Sequence, residues 1–98
     1  MTKMTIKKST KPEKDYMAIF TERPNGRNKT VHFGDSKMSD YVSGATKEQR
    51  ERYRKRHQKD LRTNDPERAG YLSYYILWGE SKSIRKNIED YKKRFNFN

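Results

Sequence analysis

Two short apolar runs, each with a period of two, open the ordered part of the pattern. Tyr16, Ala18 and Phe20 alternate along the first, and Val31 and Phe33 along the second. That spacing places each set on one face of a strand. Between them lies Pro24-Asn25-Gly26-Arg27-Asn28, whose Asn-Gly pair suits the positive φ angles of a tight turn. The pattern predicts a β-hairpin ended by Gly34 and Asp35.

The periodicity then changes. Residues 35–45 are rich in Ser, Asp and Gly around Tyr41 and Val42, a loop with one anchor. Thr46 with Gln49 three positions on has the form of a capping box, and no Pro or Gly follows before Leu61. Gln49, Tyr53, His57 and Leu61 recur at every fourth position, a narrow inward stripe on a predicted helix. Asn64-Asp65-Pro66-Glu67 reads as a second helix start. It leads into Tyr71–Trp78, apolar on all sides, a pattern common to a buried helix and a buried strand; the start signal and Gly79 in the position of a C′ residue favour the helix. Ile84, Ile88, Tyr91 and Phe95 mark one face of a last helix capped by Ser81 or Ser83. The predicted fold is α+β: an N-terminal β-hairpin followed by three short helices packed around the aromatic segment 71–78. Residues 1–14, with five lysines and Pro12, read as a mobile basic arm, and 15–96 as a single compact domain.

Composition sharpens the picture. Of 98 residues, 24 are Lys or Arg and 13 Asp or Glu, a formal charge of +11. Such an excess opposes compaction and favours anionic partners. The apolar share of 30% is low, as in disordered chains, but 12% of the residues are aromatic and clustered, enough for a small core. Cysteine is absent, which excludes disulfides and thiolate metal sites. No apolar stretch approaches the roughly 20 residues that span a bilayer, and the start lacks a signal-peptide pattern. The expectation is a soluble intracellular protein without a membrane partner.

The charge is not evenly spread. Residues 46–62 carry eight Lys and Arg against three Asp and Glu. Guanidinium forks pair with phosphate through two hydrogen bonds, so Arg50, Arg52, Lys55, Arg56, Lys59 and Arg62 are candidate nucleic-acid-binding residues. Lys82, Arg85, Lys86, Lys92 and Lys93, beside Arg94, extend the set along the last helix. Of Arg50, Arg54 and Arg56, at least one must lie near the Tyr53–His57–Leu61 stripe with its stem packed; Arg56 is the expected one. Tyr74 or Trp78 offers a stacking platform for unpaired bases, although in a chain so poor in Leu and Val these rings belong rather to the core. His32 and His57 have no ligand-spaced companions, nucleophile or carboxylate pair, and there is no phosphate-binding glycine loop. Neither an enzyme, a cofactor, a metal nor a small-molecule substrate is expected. The expected partner is DNA or RNA, held by its phosphate backbone without strong sequence preference.

From Val31 onward the chain also resembles a family. Its marks are Val31-His32-Phe33-Gly34, Asp40-Tyr41, Arg50, Tyr53, Arg56-His57, the run Ala69-Gly70-Tyr71-Leu72-Ser73-Tyr74-Tyr75-Ile76-Leu77-Trp78-Gly79, Ser83-Ile84 and Tyr91-Lys92-Lys93-Arg94-Phe95. These are similar to small, basic, functionally uncharacterised proteins of nucleocytoplasmic large DNA viruses of algae and amoebae. The chain departs from the pattern at Val42, where the family has Thr. The resemblance implies a viral origin, one compact module from about residue 14 to 96, and a place in the virion or in the nucleus or cytoplasm of an infected cell. It assigns no activity. It raises a rival role, a minor structural or capsid-associated virion protein that meets other virion proteins through its basic surface and aromatic segment.

Overall fold

Side-chain alternation accounts for the sheet. In the computed structural model, which describes residues 1–98, β2 (Lys14–Thr21) pairs antiparallel with β3 (Lys29–Asp35). Tyr16 lies opposite Phe33 and Ala18 opposite Val31. The expected hairpin is present, with a longer connection than a two-residue turn. The Gly26 N–H donates to the Arg23 carbonyl at 2.9 Å, which puts Pro24 and Asn25 at the centre of the turn. Gly26, at φ +73°, is left-handed there, as is Glu22, at φ +56°, where the connection leaves β2. Pro24 supplies the first central φ ready-made.

The first residues correct the expectation of a mobile arm. Lys3–Lys8 form β1, antiparallel to β2 in a sheet of order β1-β2-β3. Met4 is fully buried opposite Phe20, and Ile6 packs against the core opposite Ala18. Lys3, Thr5 and Lys7 take the other face by alternation. The outer edge of β1 is partly covered by the end of the chain. Met4 N–H donates to the Asn98 carbonyl, and Asn98 N–H to the Thr2 carbonyl, both at 2.9 Å. The compact unit therefore includes both termini.

Helix α1 (Lys47–His57) begins at the predicted capping box: Thr46 Oγ1 accepts from Gln49 N–H at 3.1 Å, and Gln49 Oε1 from Thr46 N–H at 2.7 Å. It continues as a 3₁₀ segment, Gln58–Thr63, closed by Asn64 in the left-handed region. Asp65-Pro66 does not open the next helix. Asp65 Oδ1 accepts from Glu67 N–H at 3.0 Å, a local turn that uses up the capping carboxylate. Helix α2 (Ala69–Leu72) starts later and passes into a π-helical turn, Ser73–Leu77. The aromatic segment is helical as predicted, but more widely wound. Gly79 is not the left-handed C′ residue expected of it. A Cβ there would lie 2.2 Å from the Tyr75 carbonyl oxygen, so this position is glycine because two backbones approach closely. Helix α3 (Ile84–Phe95) is capped by Ser83, whose hydroxyl accepts from Lys86 N–H at 3.3 Å.

These elements meet in one core. Met4, Ala18, Phe20 and Phe33 of the sheet pack on Tyr71, Leu72, Ile76, Leu77 and Trp78, with Tyr91 of α3 against them. The radius of gyration, 13.0 Å, is that of a compact domain of this length, about 13 Å. The architecture is α+β: a three-stranded antiparallel sheet followed by three helices around an aromatic cluster.

Candidate nucleic-acid interface

Carbonyls at the end of the π-turn decide which arginines of α1 are free. The last turn of a helix leaves carbonyls without intrahelical donors, and here other elements supply them. Arg54 Nη1 donates to Tyr74 O at 2.9 Å and Trp78 O at 2.7 Å. Arg50 Nε donates to Gly79 O at 2.6 Å. Asn87 Nδ2 donates to Ile76 O at 2.8 Å, and the Val42 N–H to Leu77 O at 3.3 Å. The Arg54 guanidinium also lies 4.0 Å from the centre of the Tyr74 ring. Burial, which disfavours the charged form, lowers the Arg54 pKa from its ordinary value.

The inner face of α1 is therefore Arg50, Tyr53, Arg54 and His57, at i, i+3, i+4 and i+7, all half-buried. Tyr53 stacks on both His57 and Trp78, with ring centres 4.2 and 4.3 Å away. Burial raises the pKa of the Tyr53 hydroxyl. Two expectations are corrected. The packed arginine is Arg54 and not Arg56, which is exposed, and Arg50 is occupied by Gly79 and the Tyr41 ring. His57 packs beside Tyr53 as predicted and also lies 3.0 Å from an Asp60 carboxylate oxygen.

The remaining cations of this element face solvent. Arg52, Lys55, Arg56, Lys59 and Arg62 are all exposed. Four of them, Lys55, Arg56, Lys59 and Arg62, line a single shallow concavity with Gln58 and Leu61. None has a carboxylate in ion-pair range; the lysine and arginine pairs of the protein join Arg23 and Lys29 to Glu67, Arg68 to Asp65, and Lys86 to Asp90.

The cations around α3 are a different set. Arg85 and Lys93 are exposed and Lys92 is half-buried. Lys86 is shared with Asp90 at 4.0 Å. Lys82 Nζ sits 5.0 Å from the Tyr41 ring centre and the Arg94 guanidinium 4.9 Å from that of Tyr75. Glu89 and Asp90 interrupt this series. Tyr74 and Trp78, the candidate stacking platforms, are 8% and 7% exposed and belong to the core. Sequence periodicity missed a second concavity of about 490 Å³ between the π-turn and α3, lined by Arg54, Tyr75, Glu80, Asp90, Lys93 and Arg94 among others. Its residues come from three separate stretches, and only the π-turn brings them together.

Fold and surface together define a small α+β module with a row of exposed, unpaired cations along α1 and the 3₁₀ segment that follows it. Residues 4–57, more than half of the chain, match the family described as "Family of unknown function (DUF5754)", and the protein belongs to that family. The match spans the sheet and α1 with Arg52, Lys55 and Arg56, whereas Lys59 and Arg62 lie beyond it on the 3₁₀ segment. No curated protein and no solved structure matches the chain significantly. No helix is long and apolar enough to cross a membrane.

Proposed function

We propose that this protein binds nucleic acid through the phosphate backbone, without strong sequence preference, using Arg52, Lys55, Arg56, Lys59 and Arg62. The observation that carries the reading is the division of labour on α1. Arg50 and Arg54 are turned inward and held by carbonyls and rings, whereas these five cations are exposed and have no carboxylate partner. Cations so placed release counterions from a polyanion on contact, the main source of sequence-independent affinity. The sequence has no base-reading motif such as a zinc finger or an RNP sequence, so unrelated sequences should bind alike. The cations of α3, among which Lys86 is shared with Asp90, contribute less. A polyanion met in an infected cell or a virion is part of this proposal, and only the resemblance to proteins of large DNA viruses supports that part.

Fluorescence anisotropy with unrelated duplex and single-stranded oligonucleotides at low salt tests this reading. It predicts binding to all of them within about one order of magnitude in affinity. Absence of binding at low salt, or one strongly preferred sequence, contradicts it. The rival role as a capsid-associated protein would rest on Tyr75 for its aromatic contact, since Tyr71, Tyr74 and Trp78 are buried and Tyr75 is half-buried.

A further inference from the structure

We propose that the cleft between the π-turn and α3 is a separate binding site for a nucleoside monophosphate unit. Arg54, Lys93 and Arg94 hold its phosphate, and the Tyr75 ring meets its base.

Arg54 is the anchor. Its guanidinium is half-buried and has no carboxylate in ion-pair range. Nη1 is spent on the carbonyls of Tyr74 and Trp78, while Nε and Nη2 have no acceptor in the protein. No buried side-chain donor lacks a partner, so these remaining N–H groups reach solvent, and the cleft is the concavity that Arg54 lines. A guanidinium held in place by two carbonyls has lost most of its rotamer freedom already. Its open edge then binds an anion at little further entropic cost. Lys93 and Arg94 bring two more cations to the same cleft.

The ring and the acids set the rest of the ligand. Tyr75 is half-buried, with Arg94 4.9 Å and Arg54 5.7 Å from its centre. A planar cation over a ring marks a face that also accepts a planar base, and exposed Arg94 is able to swing onto the phosphate. The cleft volume of about 490 Å³ lies within the range of small-molecule sites, about 300–1,000 Å³. Glu80 and Asp90 line it too. Three cations against two carboxylates suit one phosphate and disfavour a triphosphate. A plain polycationic surface has the opposite order, since its attraction grows with ligand charge.

The site uses none of the exposed α1 cations, so it stands or falls independently of the proposed function. Its test is an NMR titration of the full chain with AMP, ATP and inorganic phosphate, followed by competition between AMP and a short single-stranded oligonucleotide. The expected result is a shift of Tyr75 and Arg54 signals by AMP, with AMP binding more tightly than ATP or inorganic phosphate. Lys93→Gln/Arg94→Gln changes two exposed residues and should weaken AMP binding by about tenfold or more while leaving the fold intact. Arg52→Gln/Lys55→Gln/Lys59→Gln should leave AMP binding unchanged. Displacement of AMP by the oligonucleotide identifies the ligand as a unit of a single strand; its failure identifies a free nucleotide. Unmoved Tyr75 signals at millimolar AMP, or ATP binding more tightly than AMP, overturns the proposal.

Discussion

Arg54 and Trp78 tie α1 to the aromatic segment, the guanidinium Nη1 donating to the Trp78 carbonyl at 2.7 Å while Trp78 stacks on Tyr53 one residue away on the helix. A cation next to the apolar stripe, and not on it, is thereby a structural peg. Arg54→Gln should cost about 2–3 kcal/mol, the loss of charge-assisted hydrogen bonds that leaves carbonyls unsatisfied. Arg56→Gln should stay within about 0.5 kcal/mol. Urea unfolding of the two variants checks the contrast, and equal stabilities would contradict the placement.

Gly79 makes a sharper steric prediction. The Cβ of Gly79→Ala would meet the Tyr75 carbonyl oxygen, a backbone atom without freedom to move aside. The change should destabilise by about 3 kcal/mol, the upper end for overpacking. Gly26→Ala meets nothing within 4 Å and is strained only by its φ of +73°, so its cost should be nearer 1 kcal/mol. Thermal melts of the pair give the order.

Much of the fold is legible in the sequence, for local reasons. The alternation of Tyr16, Ala18 and Phe20, the Thr46–Gln49 box and the Ile84–Ile88–Tyr91–Phe95 face each express one element's own geometry. The failures are tertiary. In β1 only Met4 and Ile6 carry the period of two, and the flanking lysines mimic a solvated tail. On α1 the inner positions include two arginines, which a search for apolar spacing passes over. Their donors matter because the π-turn presents carbonyls to them, and no pattern within 47–57 announces that. The exposed cations of the candidate interface were legible as a set, apart from Arg50, because charge on a helix facing away from an aromatic core has nowhere else to go.

The burial of Met4 turns the supposed arm into a stability determinant. Met4→Ala should cost about 2–5 kcal/mol, and deleting residues 1–8 should abolish cooperative unfolding, because Phe20 loses its neighbouring strand. A truncated chain that melts like the full one would restore the arm.

Asp15 gives a pH signature. Burial, then the Asp40 and Asp35 carboxylates, raise its pKa above the ordinary carboxylate value. A raised pKa means the folded state holds the proton more tightly than the unfolded one. The stabilising contribution is therefore complete at pH below the ordinary value of 3.8 and is lost as pH rises through the folded-state value. Asp15→Asn should raise the melting temperature at pH 7 and leave it unchanged at pH 3. An equal shift at both values would assign the effect to something other than ionisation.

The division of α1 into a structural face and a phosphate-binding face is tested most directly by salt. Affinity for a random-sequence duplex should be measured from low to moderate salt for the native chain and for Arg52→Gln/Lys55→Gln/Lys59→Gln. Five phosphate contacts predict a slope of log K against log salt of about −4 to −5, and loss of three predicts a slope shallower by up to about 3. The melting temperature should stay the same, since all three side chains are exposed. A native slope near zero, or a triple variant that keeps the native slope, would contradict the account.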